Sequence, residues 1–173
     1  MSFDAILLIA FGGPEQMDDV RPFLANVLYG RPVPPQRLEA VVHHYELFGG
    51  HSPLNEITFR QAKALQAILE QDGSGLPVYV GMRNWHPYLH ETLAQMAADG
   101  VQNTLGVIMS AQQSEAGWER YKENVATAQE LLGAKAPTVE YVPGGLSCQE
   151  TRQSTPDRVW FNIKVGTDIL KGA

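Results

Sequence analysis

A short apolar run near the start of the chain, AILLIAF at residues 5–11, constrains the fold more than any other feature of the sequence. Both alternating sets of side chains in this run are apolar, and it ends at Gly12, Gly13 and Pro14. This pattern predicts a strand buried on both faces of a parallel sheet, followed by a tight turn. Further strands are predicted at residues 77–82, 103–109 and 138–142, where short apolar or alternating runs recur.

Helical spacing of apolar residues fills the segments between these strands. The predicted helices follow Pro14, cover residues 36–47, run from Leu54 to Leu69, open at Pro87 and cover residues 115–132. Asn55 or Thr58 is expected to cap the third helix. The order β-α-α-α-β-α-β-α-β predicts an α/β domain over residues 1–142, a doubly wound parallel sheet flanked by helices. Residues 143–173 break the pattern and are expected to be irregular.

Composition excludes several classes of protein. The 173-residue chain carries a net charge of −6 without a clustered basic face, so we expect no nucleic-acid partner. Its one cysteine, Cys148, excludes an internal disulfide and fits a reducing compartment. No apolar run reaches the roughly 18 residues of a membrane span, and the first residues lack the basic segment of a signal peptide. We therefore expect a cytoplasmic protein, and a peripheral membrane contact stays open.

The motifs of common nucleotide and hydrolase sites are absent from the sequence. FGGP at residues 11–14 is not a phosphate-binding glycine pattern, so Gly12 and Gly13 form either a plain turn or a turn that a ligand approaches closely. His86 and His90 have the spacing of metal ligands on a helix. However, Pro87 disfavours helical backbone at His86, which predicts His86 as the helix cap with Pro87 in the first turn. We predict no metal site and no catalytic nucleophile.

In a doubly wound fold, ligands bind at the carboxyl ends of the strands. Arg83 follows the second strand, where it could bind a carboxylate or form a surface ion pair. Of the adjacent histidines His43 and His44, one is expected to be exposed and the other half-buried. Aromatic residues near the predicted strand ends and loops could stack on a flat apolar ligand or belong to the core. They are Phe11, Tyr45, Phe48, Trp85, Tyr88, Trp118 and Tyr121.

Three segments together resemble the ferrochelatase family. They read AFGGP at residues 10–14, YELFGGHSPLNEIT at 45–58 and YVGMRNWHPYLHETLAQMAADGV at 79–101. They occur in the family's order and with similar spacing, and the similarity extends from about residue 4 to 142. The resemblance implies the first of the two lobes of a chelatase fold. It also implies insertion of ferrous iron, as a substrate, into protoporphyrin IX or coproporphyrin III in haem biosynthesis, without a tightly bound cofactor.

The resemblance also implies porphyrin contacts at particular positions of this chain. They are Phe11, His44, Tyr45, Ser52, Arg83 and Tyr121. Leu28 and Tyr29 stand where some members carry arginines, so the sequence leaves the choice of porphyrin open.

Two departures from the family set further expectations. Its members are longer, and their metal-handling histidine, in an S-A-H-S stretch, and a later glutamate have no counterpart here. We therefore expect a truncated or degenerate copy that is inactive alone and self-associates through exposed apolar surface. The alternatives are a porphyrin- or haem-binding module without catalysis and a half-size chelatase acting as a homodimer. Small chelatases of that kind have a histidine after the first strand, where this chain has Phe11.

Overall fold

The computed structural model describes residues 2–110 and 118–142, which form a parallel sheet covered by helices. Its four strands are β1 (Ala5–Ala10), β2 (Val78–Met82), β3 (Asn103–Ile108) and β4 (Thr138–Tyr141). Its five helices are α1 (Met17–Leu28), α2 (Pro35–Glu46), α3 (Leu54–Gln71), α4 (Leu89–Ala98) and α5 (Arg120–Leu132). The predicted element order and α/β class are confirmed. The predicted irregular tail, residues 143–173, and Cys148 within it lie outside the described residues.

The sheet has the strand order β2-β1-β3-β4, and every neighbouring pair is parallel. Ile6 pairs with Val78 of β2 on one side and with Leu105 of β3 on the other. The chain leaves β1 towards β2 and then crosses to β3 on the opposite side of β1. The strand order therefore reverses at β1, and the carboxyl ends of β1 and β3 flank the crevice where open α/β sheets bind ligands.

Both faces of β1 are buried, which accounts for its continuous apolar sequence. Ala5, Leu7 and Ile9 belong to a core cluster with side chains from α4 and α5. The alternate residues Ile6, Leu8 and Ala10 belong to a second cluster with side chains from α3. Since every residue of β1 contributes to one of the two clusters, this strand is the centre of the hydrophobic core.

Helices α1 and α2 form a smaller cluster of their own. Val20 and Phe23 of α1 pack with Val42 of α2, and Trp85, just after β2, packs against them. This contact places the helix pair at the end of the sheet where the parallel strands have their carboxyl ends, which we call the carboxyl edge. A salt bridge of 2.8 Å between Arg21 and Glu39 also joins the two helices, but both side chains are exposed, so we expect it to add little stability.

The start of α4 differs from the prediction. The helix begins at Leu89 with Tyr88 as its N-cap, so the prediction that His86 caps it and Pro87 opens it is wrong. Pro87 is held by the sheet instead, because its carbonyl accepts a 2.7 Å hydrogen bond from the Met82 N–H. The backbone N–H of Tyr88 donates to the Glu91 carboxylate at 2.7 Å, so a side chain from the first turn of α4 caps this N–H.

Two further local expectations fail. Helix α3 begins at Leu54 after Pro53, so neither Asn55 nor Thr58 caps it. Thr58 donates its hydroxyl to the Leu54 carbonyl at 2.8 Å inside the helix. His43 and His44 are both exposed, whereas one was expected to be half-buried. Among the helices of the described residues, none combines the length and apolarity needed to cross a bilayer.

Candidate functional site

The turn after β1 and the loop after β2 are hydrogen-bonded to each other at the carboxyl edge of the sheet. The Arg83 N–H donates to the Ala10 carbonyl at 3.0 Å. Asn84 donates twice to the Phe11 carbonyl, from its backbone N–H at 3.0 Å and from its side-chain Nδ2 at 3.1 Å. Gly12 has a φ of +83°, and a Cβ there would lie 3.0 Å from the Trp85 nitrogen. The turn therefore needs glycine both for its backbone conformation and for space.

The same turn packs against the segment that precedes α3. A Cβ at Gly13 would lie 2.6 Å from the Ser52 Oγ, so the two residues are in direct contact. The Ser52 N–H donates to the Pro14 carbonyl at 2.8 Å. Ser52 is half-buried, and this backbone hydrogen bond holds it beside the turn.

Four aromatic side chains meet at this edge and form what we call the aromatic shelf: Phe11, Phe23, Tyr45 and Trp85. The Phe23 ring makes edge-to-face contacts with the other three, at centroid distances of 6.1, 6.2 and 6.4 Å. Phe23 itself is buried, but Phe11 is 36% exposed. Burial raises the pKa of the Tyr45 hydroxyl. The shelf therefore presents an apolar surface that is partly open.

Arg83 and Tyr121 form a second pair at the same edge. The guanidinium carbon of Arg83 lies 5.6 Å from the centroid of the Tyr121 ring, a cation–π distance. In residues 2–110 and 118–142, no carboxylate forms an ion pair with Arg83. Tyr121 is buried, and this burial raises its pKa, whereas the Arg83 charge lowers it. A half-buried cation that pairs with no carboxylate of the described residues can bind an anionic ligand.

The remaining predicted contact, His44, is exposed on α2 beside Tyr45 in the sequence and makes no ring contact with the shelf. His86 and His90 flank the Tyr88 ring at 4.3 and 5.6 Å, and His86 pairs with Glu91 at 3.1 Å. The described part of the chain has no group of three or more His, Cys, Asp or Glu residues placed to hold a metal.

Two residues at the edge were not identified as part of the site from the sequence. Phe23 is absent from the aromatic residues predicted near the strand ends, yet it is the residue that joins the aromatic shelf. Asn55 was expected to cap α3, yet its Nδ2 donates to the Gly13 carbonyl at 2.9 Å. The available signal for Asn55 was its place inside the SPLNEIT segment, close to Ser52.

A model of the family described as Ferrochelatase matches residues 3–145. The chain belongs to the ferrochelatase family. It is 46% identical over 145 residues to a ferrochelatase of Rhodopirellula baltica, an alignment that covers 84% of this chain and 41% of that protein. It is 52% identical over 125 residues to a coproporphyrin III ferrochelatase of Frankia alni, covering 72% of this chain and 31% of that protein. A coproporphyrin III ferrochelatase of Mycobacterium marinum is 47% identical over 137 residues, or 79% of this chain and 39% of that protein.

The chain thus spans about two fifths of the length of the ferrochelatases it matches, as expected for one lobe. The resemblance inferred from the three sequence segments is confirmed. In the structure these segments meet: the first supplies the turn after β1, the second contacts it through Ser52, and the third is bonded to it through Arg83 and Asn84. The roles of individual residues in binding a porphyrin stay predictions.

Proposed function

We propose that this chain supplies the porphyrin-binding wall of a ferrochelatase, in which ferrous iron is inserted into a porphyrin during haem biosynthesis. The porphyrin is protoporphyrin IX or coproporphyrin III. Support for the activity comes from membership of the ferrochelatase family, and support for coproporphyrin III comes from the names of the Frankia alni and Mycobacterium marinum relatives.

The observation that carries this proposal is the combination of an apolar shelf and an available cation on one edge of the sheet. A porphyrin is a flat apolar macrocycle with carboxylate side chains. The aromatic shelf offers the kind of surface on which such a ring packs, and the Arg83 guanidinium can bind a carboxylate through two parallel hydrogen bonds. Apolar pockets with a few placed polar groups are the usual form of ligand sites.

We assign the predicted contacts as follows. Phe11 and Tyr45 face the macrocycle as members of the aromatic shelf, and Ser52 limits the approach beside the turn. Arg83 binds a propionate, with the Tyr121 ring beneath its guanidinium. His44, exposed on α2, contacts the porphyrin rim.

Ferrous iron is a substrate in this proposal. Metal insertion needs a base that removes the pyrrole protons and ligands that replace the water around the ion. The sequence contains no S-A-H-S stretch, and we assign neither role to a residue of this chain. We therefore propose that residues 1–173 alone bind porphyrin without inserting metal.

We further propose a cytoplasmic protein that self-associates when concentrated. The single cysteine supports the compartment. Large apolar side chains at the α2–α3 junction support self-association, since Leu47 is 68% exposed and Phe48 is 76% exposed. Sedimentation velocity over a range of concentrations tests this, and a strictly monomeric protein would contradict it.

The test is a titration of the purified chain with coproporphyrin III and with protoporphyrin IX, followed through the Soret band and fluorescence quenching. Arg83→Met should raise Kd about ten- to a hundredfold, because a charged hydrogen bond contributes about 1.5–3 kcal/mol. The matched control is Arg60→Met, which removes an exposed arginine of α3 and should leave Kd unchanged.

Zn²⁺ or Fe²⁺ is then added anaerobically to the bound complex. Binding without a metalloporphyrin spectrum is the expected result. A metalloporphyrin spectrum would contradict the proposed inactivity and, if the active species is a dimer, would favour the half-size chelatase. Absence of porphyrin binding by the wild-type chain would refute the proposal that this lobe alone forms the binding wall.

A further inference from the structure

We propose that Asn55 and Asn84 are positioning residues that hold the turn after β1 from two sides and thereby set the porphyrin-binding surface. We call this pair the asparagine clamp. It rests on the proposed function, because the surface it positions is the proposed porphyrin wall. Neither asparagine is expected to touch the porphyrin, since each is only 2% exposed.

Asn55 holds the turn from the side of α3. Its Nδ2 donates to the Gly13 carbonyl at 2.9 Å and to the Glu15 carboxylate at 3.1 Å. One amide group therefore bridges two positions of the turn, which lie 42 and 40 residues away in sequence. Both acceptors belong to the segment that directly follows Phe11, so the amide fixes the path of the chain as it leaves the shelf.

Asn84 holds the same turn from the side of β2. Its backbone N–H and its Nδ2 both donate to the Phe11 carbonyl, at 3.0 and 3.1 Å. Its own carbonyl accepts a 3.1 Å hydrogen bond from Asn26 of α1, and the same Asn26 amide donates to the Tyr88 hydroxyl at 2.8 Å. Asn84 thus links the Phe11 backbone to the helix that carries Phe23. Its neighbour Arg83 is held in the same register.

Burial alone does not account for an asparagine at position 55. Its Oδ1 is buried and has no hydrogen-bond partner among the described residues. An unpaired buried oxygen is unfavourable, and most buried polar atoms in proteins are paired. A leucine of similar size would avoid this cost but would leave the Gly13 carbonyl without its donor. The amide is therefore explained by what it holds in place.

The geometry of the clamp leads to a specific expectation. Phe11 is the exposed member of the aromatic shelf. Its carbonyl accepts from the backbone N–H and the Nδ2 of Asn84, and the Gly13 carbonyl accepts from the Nδ2 of Asn55. Without the two side-chain donors the turn can relax, and the Phe11 ring loses its fixed place beside Phe23. Porphyrin affinity then falls because the surface is no longer organised before binding.

The experiment compares Asn55→Leu and Asn55→Asp in the full 173-residue chain, together with Asn84→Leu and Asn84→Asp. The leucine variants are neutral and the aspartate variants keep the shape, so a shared effect excludes charge and size as its cause. The matched control is Thr92→Val. Thr92 is also buried and its hydroxyl donates to the Val80 carbonyl at 2.8 Å, but it lies on α4 away from the turn.

For each variant, Kd for coproporphyrin III is measured beside the melting temperature. We expect all four clamp variants to raise Kd about tenfold, equivalent to about 1.4 kcal/mol, and Thr92→Val to change it less than twofold. The decisive comparison is between clamp variants and Thr92→Val that lose the same amount of melting temperature. If a clamp variant then has the same Kd as Thr92→Val, its asparagine has a merely structural role and the proposal is overturned.

A second readout separates this proposal from the proposed function. Trp85 belongs to the aromatic shelf, and its indole signal can be followed by NMR in tryptophan-labelled protein without porphyrin, with Trp85→Phe giving the assignment. We expect the clamp variants to shift or broaden that signal and Thr92→Val to leave it in place. If the signal moves but wild-type protein binds no porphyrin, the proposed function fails and the clamp stands. An unmoved signal in all four variants overturns the clamp.

Discussion

Substituting Gly13 by alanine tests the contact that joins two of the family's sequence segments. An alanine Cβ would lie 2.6 Å from the Ser52 Oγ and 2.7 Å from the Ser52 Cβ, closer than real Cβ atoms approach. Gly13 does not have a positive φ, so the added methyl group is the whole perturbation. Overpacking of this kind costs about 1–3 kcal/mol.

The matched second change is Ser52→Gly, which removes both atoms that the new methyl group would meet. In the double variant the next neighbour is the Asn55 Oδ1 at 3.8 Å, an ordinary contact distance. The double variant should therefore recover most of the loss, with a coupling free energy of about 1–2 kcal/mol between the two positions. The control is Ser74→Gly, at a serine that contacts the Leu69 carbonyl and not the turn.

The assay is thermal and urea unfolding of the single and double variants. For a chain of this size, Gly13→Ala should lower Tm by roughly 2–12 °C, at about 2–4 °C for each kcal/mol. Ser74→Gly should combine with Gly13→Ala additively to within about 0.5 kcal/mol. If Ser52→Gly is equally additive, the two segments do not touch, and the account of how they build the site is refuted.

Two further predictions concern tyrosines. Arg83→Met should raise the pKa of Tyr121 further, because burial already raises this pKa and the Arg83 charge lowers it. Ultraviolet titration measures the tyrosine pKa, and an unchanged value would contradict the pairing of Arg83 with Tyr121. Burial raises the pKa of Tyr141 to about 12, above the value of about 10 in an unfolded chain, so its stabilising effect is complete below pH ~10 and disappears as pH approaches 12. As pH rises from about 10 to 12, the free energy of unfolding in urea melts should therefore fall less for Tyr141→Phe than for wild type. An equal fall in both proteins would contradict this.

The sequence was sufficient to predict the central strand and the element order. The β1 run is apolar at every position because both of its faces are buried, a property that can be read without tertiary information. The order of strands and helices followed from the same kind of local pattern, since α3 and α4 each bury one stripe against the sheet.

The features that failed depend on hydrogen bonds and packing that local helix and capping patterns do not describe. The start of α4 was misplaced because the Met82 N–H bonds to the Pro87 carbonyl and holds Pro87 beside the end of β2, a bond that helix-capping patterns do not predict. Asn55 was expected to cap its own helix because asparagine commonly does so, but its amide bonds to a turn 42 residues away. The place of Phe23 in the shelf likewise depends on how α1 docks.

The most direct test of porphyrin binding at the carboxyl edge is to locate a bound porphyrin on the chain. Protein labelled with fluorotyrosine is titrated with a paramagnetic manganese porphyrin, and loss of each tyrosine signal by NMR reports its distance from the metal. We expect the signals of Tyr45 and Tyr121, at the carboxyl edge, to broaden first. The signal of Tyr79, which bonds to Asp99 at the end of α4, should persist. Broadening of the Tyr79 signal before the other two would place the porphyrin elsewhere and contradict binding at the carboxyl edge.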